Sequence, residues 1–164
     1  MNRLLASAFP STSFDVSYTN YSRFLAFTDK HDHEATALAE ALPLWLAPGD
    51  TIAAIDVGAG SGRLARTLCG LYGCGSDDFS LTLLEPATQA AAALEQEFAG
   101  QRGVTVTCQS LQELAAGSSR TRYSLVLASH VNYYFRDREE FFDTMVDLLQ
   151  PGGVLCCISG SISL

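Results

Sequence analysis

Between residues 51 and 159 short apolar runs alternate with helical patterns, and this alternation constrains the fold more than any other feature of the chain. The apolar runs, at 51–57, 81–84, 104–108, 123–129 and 154–159, suit strands buried on both faces. Helical patterns fall between them at 63–72, 87–98, 111–115 and 138–149; the last carries Phe141, Phe142, Met145, Leu148 and Leu149 on its apolar side. Pro151-Gly152-Gly153 reads as a turn ahead of the fifth run. Such alternation predicts an α/β fold, a doubly wound and mainly parallel sheet built by right-handed crossovers. Ligands bind these sheets beyond the C-terminal strand ends, near the switch point, so chemistry is expected just after Val57, Leu84, Cys108 and Ser129.

Upstream of the alternation, residues 1–13 read as a loose leader. Residues 15–27 place Tyr18, Tyr21 and Phe24, with Leu25 beside them, on one face of a short helix, and 32–46 reads as a second helix bent or ended by Pro43. The 164 residues suit one domain, with these helices as a lid over 14–47 and the α/β core over 51–160. Hydrophobic residues at 48% and charged residues at 17% exclude a disordered chain. Ten basic against eighteen acidic side chains give a net charge of −8, which repels phosphate backbones and excludes nucleic acid as the first choice of partner. Lys30 is the one lysine, no polybasic tract faces a membrane, and no apolar run reaches the ~20 residues of a span. The cysteines Cys69, Cys74, Cys108, Cys156 and Cys157 are odd in number and form no C-x-x-C pair. They are expected to be reduced, buried thiols in a cytoplasmic protein.

After the first strand stands Asp56-Val57-Gly58-Ala59-Gly60-Ser61-Gly62-Arg63. Alternate glycines let the backbone turn tightly and approach a ligand, and the next helix offers free N–H groups at its start. A dinucleotide site would want its third glycine where Arg63 stands, and Asp56 would repel a pyrophosphate. The loop therefore favours a ligand carrying positive charge. Glu85 follows the second strand and precedes Pro86. It is either an acid at a helix start or a ligand for the 2′ and 3′ hydroxyls of a ribose; beside the glycine loop the ribose reading is preferred.

The segment 56–62, Glu85 and the late Leu149-Gln150-Pro151-Gly152-Gly153 resemble class I S-adenosylmethionine-dependent methyltransferases. The resemblance covers about 50–160. It implies S-adenosylmethionine as cofactor, its amino acid part cradled by Asp56, Gly58, Ala59, Gly60 and Gly62, its ribose held at Glu85 and Pro86, its adenine flanked by Gln109 or Ser110, with Ser129 also at the site. A finer similarity is to histamine N-methyltransferase. It is carried by Tyr21-Ser22-Arg23-Phe24-Leu25 with His31, by Leu84-Glu85-Pro86, by His130-Val131-Asn132-Tyr133-Tyr134-Phe135-Arg136-Asp137 and by Ser159-Gly160-Ser161. That family's early substrate-binding acid falls at or near Lys30 here, with Asp29 adjacent. The similarity implies a small-molecule acceptor, methylated at an amine nitrogen, and early helices that close over the cofactor.

Methyl transfer needs positioning, dryness and a deprotonated acceptor. The best candidates follow the fourth strand: Ser129, His130, Asn132, Tyr133 and Tyr134. His130 and Tyr133 are the expected catalytic residues, histidine because its ordinary pKa near ~6.5 suits proton handling. Tyr21, Phe24, His130, Tyr133 and Tyr134 are expected to line the acceptor pocket, the tyrosines by cation–π contact. His31-Asp32-His33-Glu34 is read as a solvated helix start with no metal, because histidines two apart on a helix diverge. The resemblance further implies two strands beyond the fifth. The chain is thus expected either to be part of a longer protein, catalytically incomplete without a partner chain, or to form a homodimer over the open edge of the fifth strand.

Overall fold

The computed structural model describes residues 30–47, 49–117 and 121–159, and side chains from Asp32 onward. Residues 1–29, with the expected leader, the first lid helix, Tyr21 and Phe24, lie outside the described residues. In chain order the elements are α1 (Lys30–Ala41), a 3-10 turn (Leu42–Leu44), β1 (Ile52–Val57), α2 (Arg63–Tyr72), β2 (Phe79–Leu84) and α3 (Thr88–Glu97). Then follow β3 (Val104–Thr107), α4 (Leu111–Ala116), β4 (Tyr123–Ser129), a 3-10 turn (Asn132–Tyr134), α5 (Arg138–Asp147) and β5 (Leu149–Ile158).

The five strands form one sheet in the order β3-β2-β1-β4-β5, and all four pairings are parallel. Strand order reverses between β1 and β4, so the switch point lies at Val57 and Ser129, two of the four strand ends singled out in the sequence. Helices cover both faces. Ile52 and Ala54 of β1 and Leu125 and Leu127 of β4 meet α1, α2 and α3 through Leu38, Leu68 and Leu94. The intervening Ile55, Val57, Val126 and Ala128 meet Phe141 and Met145 of α5 on the other face. Leu68 and Met145 are fully enclosed, so truncating either to Ala costs about 2–5 kcal/mol.

Several boundaries differ from expectation for physical reasons. β2 starts at Phe79, two residues earlier than its apolar core suggests, because Ile52 N–H donates to the Asp78 carbonyl at 2.7 Å and opens the pairing there. β5 begins at Leu149 and not at Val154. Tyr123 pairs with Leu149 and Leu125 with Val154, so Pro151-Gly152-Gly153 is a bulge inside the strand rather than a turn before it. A side chain at Gly153 would stand 2.9 Å from the Tyr123 carbonyl, so only glycine lets the bulge close on β4. Pro43 ends α1 as expected, and the chain tightens into the 3-10 turn with Trp45 N–H on the Leu42 carbonyl. The expectation of five reduced thiols is corrected. Cys69 and Cys74 form a disulfide, while Cys108, Cys156 and Cys157 are free but not buried, Cys108 being exposed and the other two half-buried. Gly73 ends α2 with φ of 79° and folds the chain back, bringing the two Cα atoms to 4.6 Å, which no spacing motif announces.

Candidate functional site

The loop after β1 is drawn onto the end of β2. Gly58 and Ala59 N–H both donate to the Leu84 carbonyl, at 2.7 and 3.1 Å. Gly58 has φ of 73° and lies against Val131, whose Cγ1 would be 2.3 Å from any Cβ added there. Gly60 differs. Its φ is 55°, and an added Cβ would meet nothing closer than the Gly58 carbonyl at 3.8 Å. The loop crest is thus bare backbone with open space beside it, a cradle in which a ligand can approach main-chain atoms. Gly62 packs under Leu94 and Phe98 and caps α2.

Glu85 is buried, with 6% of its surface exposed, yet it is well supplied with donors. Gly60 N–H donates to Oε2 and Ala87 N–H to Oε1, each at 2.8 Å. The carboxylate therefore holds the glycine loop to the start of α3. Pro86 beside it is half-buried. Asp56, at the end of β1, is 2% exposed. Burial, and then the charge of Glu85, push its carboxyl up from 3.8 to about 7. Burial and a neighbouring acid both disfavour the charged form of Asp56, so a cation beside it would be favoured.

Below β3, Gln109 and Ser110 are half-buried at the same sheet edge. The side chain of Ser110 accepts from Glu113 N–H, and the Glu113 carboxylate accepts from Ser110 N–H and Oγ. This capping box starts α4, so the Ser110 hydroxyl has a structural role that the S-x-x-E spacing announces and that the sequence reading missed. These bonds also hold the Glu113 carboxyl below the usual range.

Ser129 ends β4 and is half-buried. His130 follows it with φ of 56°, the one non-glycine residue with positive φ among those described. Its N–H continues the sheet pairing onto the Ile158 carbonyl at 2.8 Å, and its ring is buried, 8% exposed. Nε2 lies 2.7 Å from Oε1 of Glu34, an acid on α1 whose expected place on a solvated helix start is corrected, since its side chain is only 11% exposed. No local signal exists for this pair, whose members are 96 residues apart. Asp32, two residues earlier, pairs instead with Arg63 at the start of α2. The acids of His31-Asp32-His33-Glu34 thus point to different partners. Tyr133 and Tyr134 form the turn after His130, with ring centroids 4.7 Å apart and 53% and 39% of their surfaces exposed. The Oδ1 of Asn132 is buried without a hydrogen-bond partner among the described residues.

The structure therefore brings Asp56, Gly58, Ala59, Gly60, Glu85, Ser129 and His130 to the C-terminal edge of the sheet around the switch point. A parallel sheet with a glycine cradle and paired acids there defines the Rossmann-like methyltransferase class. A family model described as a methyltransferase domain matches residues 55–155, from β1 into β5, and the chain belongs to that family. No curated protein matches the chain. Among solved structures, a methyltransferase in complex with the Haloferax volcanii Trm112 methyltransferase activator aligns with TM-score 0.68 and 19% identity over 88% of this chain and 58% of that one. A putative sarcosine dimethylglycine methyltransferase from Galdieria sulphuraria gives 0.65 and 22% over 76% of this chain and 46% of that one. The N-methyltransferase NodS from Bradyrhizobium japonicum, solved with S-adenosyl-L-homocysteine, gives 0.59 and 21% over 76% and 59%. The chain thus spans between about half and three fifths of these proteins. Among the described residues no helix is long and apolar enough to cross a membrane.

Proposed function

We propose that the chain binds S-adenosylmethionine and methylates a small-molecule acceptor, at an amine nitrogen. The observation that carries this reading is the pair of buried acids, Asp56 at the end of β1 and Glu85 after β2, next to the bare Gly60 crest. The cofactor supplies an electrophilic methyl group on a sulfonium, together with an ammonium group and a ribose. Asp56 faces the cationic end across the crest formed by Gly58, Ala59, Gly60 and Gly62. Glu85, beside Pro86, accepts from the ribose hydroxyls. Gln109 flanks the adenine by its place after β3, with Ser110 contributing backbone only, and Ser129 borders the site from β4. His130 takes the acceptor's proton, and Tyr133 and Tyr134 line the acceptor side. We place this activity in the cytoplasm, with the Cys69–Cys74 disulfide as the feature that speaks against that location.

Calorimetry with S-adenosyl-L-homocysteine tests the reading. Micromolar-range binding is expected, and Glu85→Gln should weaken it by about 1.5–3 kcal/mol, because charge-assisted bonds become neutral ones. No heat and no thermal shift at millimolar ligand would sink the proposal.

A second reading is favoured by the coverage of 46–59% of the structural neighbours and by the activator bound to one of them. In it the chain holds the cofactor but needs a further chain, or a second copy of itself at the β5 edge, to turn over. Cofactor binding without turnover against pooled small amines, phenols and acids would select it.

A further inference from the structure

We propose that Glu34 is a positioning residue for His130, fixing the imidazole as the Nε2–H tautomer so that Nδ1 is its basic nitrogen. The inference rests on the acceptor site proposed above. Glu34 Oε1 and His130 Nε2 are 2.7 Å apart, and their side chains are only 11% and 8% exposed. Solvent barely competes for the bond, so it is worth more than a surface contact. A carboxylate can only accept, so the shared proton belongs to Nε2. In a neutral ring the lone pair then sits on Nδ1.

Two further observations give the bond a purpose beyond packing. His130 is held at φ of 56°, a conformation that costs a non-glycine residue about 1–2 kcal/mol and persists only where the surroundings enforce it. Here they enforce it at both ends: the main chain through N–H to the Ile158 carbonyl at 2.8 Å, the ring through Glu34. Moreover, α1 is fastened at two points that straddle the switch point. Asp32 pairs with Arg63, the residue after the glycine loop, and Glu34 bonds the residue after β4. The helix is therefore tied to the residues that follow both β1 and β4.

The proton path is balanced by this arrangement. With the cofactor bound, the acceptor's lone pair would form the bond to the methyl carbon as the carbon–sulfur bond breaks and its electron pair leaves on sulfur, and the acceptor's N–H proton would end on Nδ1. Nε2–H stays on Glu34, and the resulting imidazolium lies beside a carboxylate that never takes the proton.

Nitrogen-15 NMR of His130 in the full chain tests this without any acceptor. The wild type should show the Nε2–H tautomer in the neutral ring. Glu34→Ala should convert it to a tautomer mixture, and Glu34→Gln, which keeps an accepting oxygen, should retain Nε2–H. A wild type in the Nδ1–H form, or a tautomer unmoved by Glu34→Ala, overturns the proposal. If Glu34→Ala does not fold, the wild-type and Glu34→Gln spectra still decide. Binding of S-adenosyl-L-homocysteine to the wild type is measured alongside. Its absence would remove the methyltransferase reading while the tautomer result stood by itself.

Discussion

Asp56 makes the most specific residue-scale prediction. Its carboxyl is raised to about 7 in the folded chain against 3.8 unfolded, so the folded state holds a proton that the unfolded state releases. The stability it contributes is complete below about pH 4 and is lost as pH rises through about 7. Denaturant titrations of wild type and Asp56→Asn should therefore diverge across that window. The wild type should lose ground at a slope approaching about 1.4 kcal/mol per pH unit, and parallel curves would refute the assignment. A bound cation reverses the preference, so S-adenosyl-L-homocysteine binding near pH 6.5 should release a proton, visible as a binding heat that changes with the buffer's ionisation heat. His130 makes a second prediction. At φ of 56° alanine is strained and asparagine is tolerated. Thermal melts should show His130→Asn as the more stable variant, by about 0.5–1 kcal/mol over His130→Ala. Equal stabilities would mean that the conformation carries no strain. At this scale the sequence was readable where chemistry and chain position coincide. Asp56, Gly60 and Glu85 announce themselves beside strand ends. Glu34 does not, because its partner lies 96 residues away and only the packing of α1 joins them.

At the scale of elements, α2 and β4 were legible to the residue, Arg63–Tyr72 and Tyr123–Ser129. Each is bounded by a strong local signal, the glycines 58–62 and Gly73 for one and a fully buried apolar run for the other. β5 was not, because Pro-Gly-Gly has the composition of a turn and only the register against Tyr123 and Leu125 reveals a bulge. The disulfide at the end of α2 was missed for a similar reason. Cys69 and Cys74 meet only because Gly73 reverses the chain. The loop it closes is short, with a sequence separation of 5, so the unfolded chain loses little freedom to it. Cys74→Ser should lower stability by no more than about 2 kcal/mol, leaving the cofactor site at the opposite end of α2 intact. A larger loss, or a loss of S-adenosyl-L-homocysteine binding, would show that the bond organises the helix as a whole.

For the whole molecule, the open question is the β5 edge. Among the described residues β5 pairs on one side only, with β4. Its residues Val154, Leu155, Cys156, Cys157 and Ile158 are all half-buried rather than enclosed. Next to it, α5 leaves Phe142 and Val146 at 38% and 54% exposure, four residues apart on one helix face. An apolar strand with unpaired N–H and C=O groups, flanked by an apolar helix face, is a template for another strand. The net charge of −8 opposes casual aggregation but falls equally on two copies, so it sets a concentration threshold and does not forbid pairing. Light scattering over a dilution series should therefore show this chain associating as concentration rises. High salt, which screens the repulsion and strengthens apolar burial, should lower the threshold. Val146→Glu adds charge beside the edge while leaving the site at the other strands untouched. It should raise the threshold without changing S-adenosyl-L-homocysteine affinity. A chain that stays monomeric throughout the series at high salt would remove self-pairing as the cover of this edge.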